Sequence, residues 1–167
     1  NVDSIGVLVG SSSRGPASDG RIKPDMAAYG APQMSTDENN TYRAFGGTSS
    51  AAPSGAGVYT QLVHAYKDLN GGAKPESGLI KATVMNTAAD FGNVGPDFKF
   101  GWGIYNGGKA YNLLAENRYL SDTINQNSNK THTINIPANV KEARIMVYWM
   151  EPASALGSSM ALVNDIN

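Results

Sequence analysis

The chain has 167 residues, 41% of them hydrophobic and 16% charged, with a formal net charge of −1. It is long enough for one ordinary domain or pieces of two, and too apolar to be a disordered tail. The charge balance gives no reason to expect nucleic acid or an anionic membrane as a partner. No run is long and apolar enough to span a bilayer, and the absence of cysteine excludes a disulfide scaffold and a thiolate metal site.

In chain order, residues 4–10, "SIGVLVG", predict a short buried strand, and residues 11–21, "SSSRGPASDGR", a loop rich in turn formers. Residues 22–32 are a punctuated, mostly extended segment, and residues 33–43 read as a polar, Asn-rich surface loop. From Ala51 to residue 69 the pattern is helical: Val58, Leu62, Ala65 and Leu69 recur at steps of three and four. Pro53 is tolerable in a first turn. Ala51, Ala52, Gly55, Ala56 and Gly57 make the opening half smooth, as suits a helix sunk between close neighbours, and "NGG" at 70–72 ends it. A second helix is expected over 76–88, with Leu79, Ile80, Val84 and Ala88 as its apolar stripe, and a third, short one within 100–117.

Past residue 118 the texture changes. Residues 130–137 and 142–150 alternate with a period of two, and Ala143, Ile145, Val147 and Trp149 share one face. This predicts an α/β region over 1–117 and part of a β-sandwich over 118–167. The chain opens at Asn1 without an initiator Met and stops at Asn167 shortly after an apolar "MALV", so both ends read as cuts through a longer protein. Two sequons, at Asn39 and Asn129, matter only in a host that glycosylates.

Residues 47–53, Gly-Thr-Ser-x-Ala-x-Pro running into a small-residue helix, match the nucleophile motif of the subtilisin-like serine proteases. Three further blocks resemble that family in the expected order: "SSRGPASDGRIKPDMAAYG" (12–30), "LIKATVMNTA" (79–88) and "GWGIYNGGKA" (101–110). The resemblance covers residues 10–115, and the tail resembles the β-sandwich that follows some of these enzymes. It implies a partial subtilisin-like parallel-sheet domain over 1–117, with helices on both faces of the sheet in the parent, followed by the start of an all-β, jelly-roll-like sandwich. It also implies that Ser49 is the catalytic nucleophile. Ser11, Tyr29 and the Ser54-Gly55 pair depart from the family pattern without removing that serine.

The setting of Ser49 has a physical logic. A serine on the first turn of a helix sits beside unpaired backbone N–H groups and the positive dipole end, so its own N–H can help hold an oxyanion. Gly46 and Gly47 let a substrate approach without a Cβ in the way. The bland alternative makes Ser49 a plain helix N-cap. Ser50 fills the variable position of the motif. A G-x-S-x-G elbow is excluded, since Ala51 stands where its second glycine belongs.

No histidine precedes Ser49, although the subtilisin order is Asp, His, Ser. His64 lies fifteen residues along the helix, roughly 22 Å away at the α-helical rise, whereas a general base needs about 3 Å. It shares a polar face with Gln61 and Asp68 and reads as a surface histidine; His132 reads as a strand residue. The family's oxyanion Asn has no matching block here. The chain therefore reads as the C-terminal part of a serine endopeptidase domain, inactive or nearly so alone. Its expected partners are a polypeptide substrate and the missing N-terminal part of the same domain, which would cover an otherwise unpaired sheet edge. The other reading is a noncatalytic relative serving binding or scaffolding. Arg14 and Asp25 read as structural, Asp25 as a hydrogen-bond partner of loop backbone. Asn164 and Asp165 offer too few oxygens for calcium, so no metal or catalytic cofactor is expected. The family resemblance implies secretion.

Overall fold

The structure, a computed structural model, describes residues 1–166. It is a mixed assembly of helices and short extended segments. An antiparallel hairpin, β1 (Gln33–Asp37) and β2 (Thr41–Phe45), leads into α1 (Thr48–Leu69), followed by α2 (Ser77–Asn86) and α3 (Gly107–Ala115).

The three helices form where the apolar period predicts them and meet in one cluster. Leu62 of α1, Ile80 and Val84 of α2, and Ala110, Leu113 and Leu114 of α3 are all buried there. Each Leu, Ile or Val stabilises the folded state by about 1.5–3 kcal/mol. The stripe of α1 runs out before its end, because Leu69 is 45% exposed. Asn70 and the two glycines close α1 as their types demand. Asn70 donates from its side chain to the Tyr66 carbonyl (2.8 Å), and Gly72 donates its N–H to Lys67 (2.7 Å) from a φ of 90°. At the start of α3, Asn106 accepts the Lys109 N–H at 2.9 Å, an N-cap bond.

The parallel sheet is present as single bridges. Val2 pairs with Tyr29 and Ala27 with Ile104, both parallel, while Ala89 pairs with Ile104 in the antiparallel sense. Segment 27–29 is thus the middle of a rudimentary sheet. Three of its bridging residues, Val2, Ala27 and Ile104, form a second buried cluster with Phe100. The strand expected over 4–10 is reduced to one bridge from Leu8 back to Val2; Ile5 and Val7 face solvent.

One expectation is corrected and another is not borne out. Residues 33–43 belong to a hairpin, not a loop, in which Gln33 pairs with Phe45 and Asp37 with Thr41. Asn39 (φ 56°) and Asn40 (φ 58°) turn the chain between the strands. Residues 118–166 contain no strand, so the described residues do not bear out the expected β-sandwich; Asn167, the last residue of that expected unit, lies outside them. A period-two sequence needs a partner strand before its pattern becomes a ladder. The face that packs is also the opposite one. Ile145 and Val147 are exposed, whereas Tyr148 lies beside Gly78 and under the Lys81 ammonium (5.5 Å to the ring centre). Polar bonds from Asn86 to the Arg144 carbonyl and from Arg144 to the Ala88 carbonyl fix this segment along α2.

Candidate active site

The expected nucleophile is the second residue of α1, and the backbone leading to it is set by a relay of hydrogen bonds. Val2 donates to the Ala28 carbonyl (3.0 Å), Gly30 to Val2 (2.8 Å) and Gly47 to Gly30 (2.7 Å). The rudimentary sheet therefore positions the helix start. Gly47 is the N-cap, with φ 78° and ψ −165°. That conformation belongs to glycine alone, although open space surrounds its Cα. Gly46 is constrained differently, since a Cβ there would stand 3.2 Å from the Gly30 carbonyl and 3.3 Å from Pro32.

Ser49 is exposed, and Ser50 beside it is buried. The N–H groups of Ser50 and Ala51 donate to the Gly47 carbonyl, both at 3.1 Å. Those of Thr48 and Ser49 have no acceptor among the described residues. They are the orphan donors of a helix start, and they flank an exposed hydroxyl at the positive end of a helix of 22 residues. Chemically, this is a place where developing negative charge on a carbonyl oxygen is stabilised.

The helix begins at Thr48, three residues before the expected start. Pro53 consequently sits in the second turn, where it withholds the N–H that would bond to the Ser49 carbonyl. Ser54 donates its hydroxyl to the Ser50 carbonyl at 3.0 Å just beyond this gap. The opening half of α1 is sunk on one side only. Ala51 and Gly55 are buried, whereas Ala52, Ala56 and Gly57 are exposed.

Of the two histidines, His64 lies where the sequence puts it, whereas the strand expected around His132 is not formed. His64 is exposed on α1, its Nδ1 3.7 Å from Asp68. His132 stands 3.6 Å from Asp122, in a segment without strand structure. Arg14 is exposed and forms no ion pair among the described residues. Asp25 differs from expectation: its carboxylate binds Lys23 (2.7 Å) and Lys81 (3.2 Å) rather than loop backbone. Burial raises its pKa, but the hydrogen bonds and charges of the two lysines outweigh this and hold it below the ordinary value. Asn164 faces Glu151 as a donor, through its backbone and side-chain N–H groups. Among the described residues no group of three or more His, Asp or Glu side chains is placed to hold a metal ion.

Two residues the sequence did not single out shape the site. Asn1 is 7% exposed, its carboxamide lacks a partner among the described residues, and it crowds Gly30 from behind. Nothing in the sequence marks it. Tyr105 lies so close to Gly55 that a Cβ there would be 2.8 Å from its hydroxyl, and its ring meets Tyr59 edge-on at 6.0 Å. Burial, then the Asp25 charge, raises its pKa. The signal for this contact is a glycine in mid-helix two residues after a proline.

An exposed serine thus stands at a glycine-capped helix start, reached through a parallel-bridged segment. The model of the subtilase family matches residues 1–103. The chain belongs to the subtilase family, a family of serine proteases. Among curated relatives, the serine protease/ABC transporter B family protein tagA of Dictyostelium discoideum is 24% identical, over 93% of this chain and 11% of its own. The C5a peptidase of Streptococcus pyogenes is 38% identical over 46% of this chain and 7% of its own. The autotransporter lipoprotein NalP of Neisseria meningitidis is 38% identical over 40% and 6%. Among solved structures, the CspB protease of Clostridium perfringens superposes with a TM-score of 0.57 at 27% identity, over 67% of this chain and 24% of its own. The chain thus spans at most about a quarter of the length of these relatives.

Proposed function

We propose that Ser49 is the nucleophile of a subtilisin-type serine endopeptidase. The observation that carries the reading is the exposed Ser49 beside two unpaired N–H groups at the glycine-capped start of α1. Its Oγ attacks the substrate carbonyl, the amine leaves, and water then hydrolyses the acyl-enzyme. During both steps the Ser49 N–H donates to the oxyanion. The proton acceptor, its orienting carboxylate and a side-chain oxyanion donor come from polypeptide outside residues 1–167. His64 is held by Asp68 far down the helix, which supports an external base. Residues 1–167 alone are inactive or nearly so. Residues 1–117 are the C-terminal portion of the peptidase domain, and residues 118–167 begin a sandwich whose strands pair only with chain beyond them. The parent acts outside the cell on polypeptides, a reading supported by relatives named as an autotransporter and a C5a peptidase. Catalysis needs no cofactor.

A fluorophosphonate probe tests this on the full-length parent. Labelling is expected on Ser49, lost in Ser49→Ala, retained in Ser50→Ala, and nearly absent from the 167-residue chain. A folded parent that takes up no probe belongs to the noncatalytic, scaffolding reading instead.

A further inference from the structure

Between the later half of α1 and the start of α2 lies a cavity of about 340 Å³. Its walls are apolar: Tyr59 and Val63 from α1, Pro75 from the connecting loop, and Ile80 from α2. Lys67, Lys74 and Ser77 complete the lining. Tyr59, Val63 and Lys67 follow at steps of four and so share one helix face. Neither lysine forms an ion pair with a carboxylate among the described residues. The acids nearest in sequence are engaged elsewhere, Asp68 with His64 and Glu76 with the Ser121 hydroxyl. An apolar hollow with two cations lacks one thing, an anion attached to an apolar body.

We propose that this cavity binds the C-terminal residue of an extended polypeptide, the apolar side chain against Tyr59, Val63 and Ile80 and the free α-carboxylate between Lys67 and Lys74. The volume admits one large apolar residue and the chain leading to it. An α-carboxylate stands one carbon from its own side chain, which matches cations bordering an apolar wall. Capture of a terminal carboxylate is an established mode of peptide recognition. Val63 is fourteen residues along α1 from Ser49, roughly 21 Å at the helical rise. The site is therefore separate from the nucleophile corner, and either reading stands if the other fails.

Calorimetric titration of the protein with acetyl-Gly-Leu, and with the same peptide as its amide, separates charge from shape. The free acid is expected to bind at least about tenfold more tightly than the amide. Backbone resonance shifts should cluster at residues 59–67 and 74–80. Lys67→Met and Lys74→Met should each weaken the acid severalfold and leave the amide unchanged. Equal binding of acid and amide, no binding of either, or shifts confined elsewhere overturns the proposal. Octanoate binding more tightly than the peptide overturns it too, assigning the cavity to a lipid acid. If a variant does not fold, the acid–amide comparison on the unsubstituted protein decides alone.

Discussion

Replacing Gly30 with alanine probes the frame that holds the start of α1. A Cβ there would fall 2.6 Å from Asn1 Oδ1, 2.7 Å from Asn1 Cβ and 2.7 Å from the Gly47 carbonyl oxygen. Asn1 is buried and cannot swing aside freely. The Gly47 carbonyl already accepts from Ser50 and Ala51, so moving it moves the first turn and Ser49 with it. Overpacking of this kind costs about 1–3 kcal/mol. Reduced freedom of the unfolded chain returns roughly 0.4–1 kcal/mol, leaving a net loss centred on about 1 kcal/mol within a span of roughly 0–2.6. Gly57→Ala is the control. It is exposed on the same helix with nothing within 4 Å of its Cβ, and should gain about 1 kcal/mol from helix propensity. Urea unfolding, read as midpoint and slope, measures both. A Gly30→Ala protein as stable as its parent would refute the crowding at Gly30, and a destabilised Gly57→Ala would refute the openness of that face.

Leu62→Ala, at 3% exposure in the three-helix cluster, should cost about 2–5 kcal/mol in the same assay; a loss under about 1 kcal/mol would mean the helices do not pack there. The folded pKa of Asp25 is depressed, so its contribution is complete above the unfolded value near 3.9. That contribution fades as pH falls through the folded value, and Asp25→Asn should flatten the acid limb of the stability curve. Tyr59 is the converse case. Burial, with smaller effects of Tyr105, Asp25 and Tyr148, pushes it up to about 12. Its stabilising effect is whole below the unfolded value near 10 and disappears as pH rises toward about 12. Ultraviolet titration should show a late-ionising group of tyrosines, Tyr105 among them, that loses one member in Tyr59→Phe.

What could be read from the residues follows from where their information resides. The helices were legible because Val58, Leu62, Ile80 and Val84 carry a local period, and Asn70-Gly71-Gly72 carries a local stop. The hairpin was not, because β1 and β2 expose nearly every residue, so no apolar alternation marks them. Asn39-Asn40 was the available signal, since asparagine tolerates the positive φ that both adopt in the three-residue connection. Residues 130–150 failed in the opposite way: the alternation is present, but pairing is a property of two strands, and no second one meets the first. Ser49 was readable from its motif and its place at a helix start. Its frame was not, because Asn1 meets Gly30, and Tyr105 meets Gly55, only through the fold.

The rung missing from α1 at Pro53 has mechanical meaning. The Ser49 carbonyl owes no ladder bond to the residue four places on, so the Ser49–Ser50 peptide plane is tied into the helix only through the Ser50 N–H on the Gly47 carbonyl. Below it, the contact of Gly55 with Tyr105 clamps the shaft. The first turn, which carries the proposed nucleophile, is thus held by fewer ladder bonds than the shaft behind it.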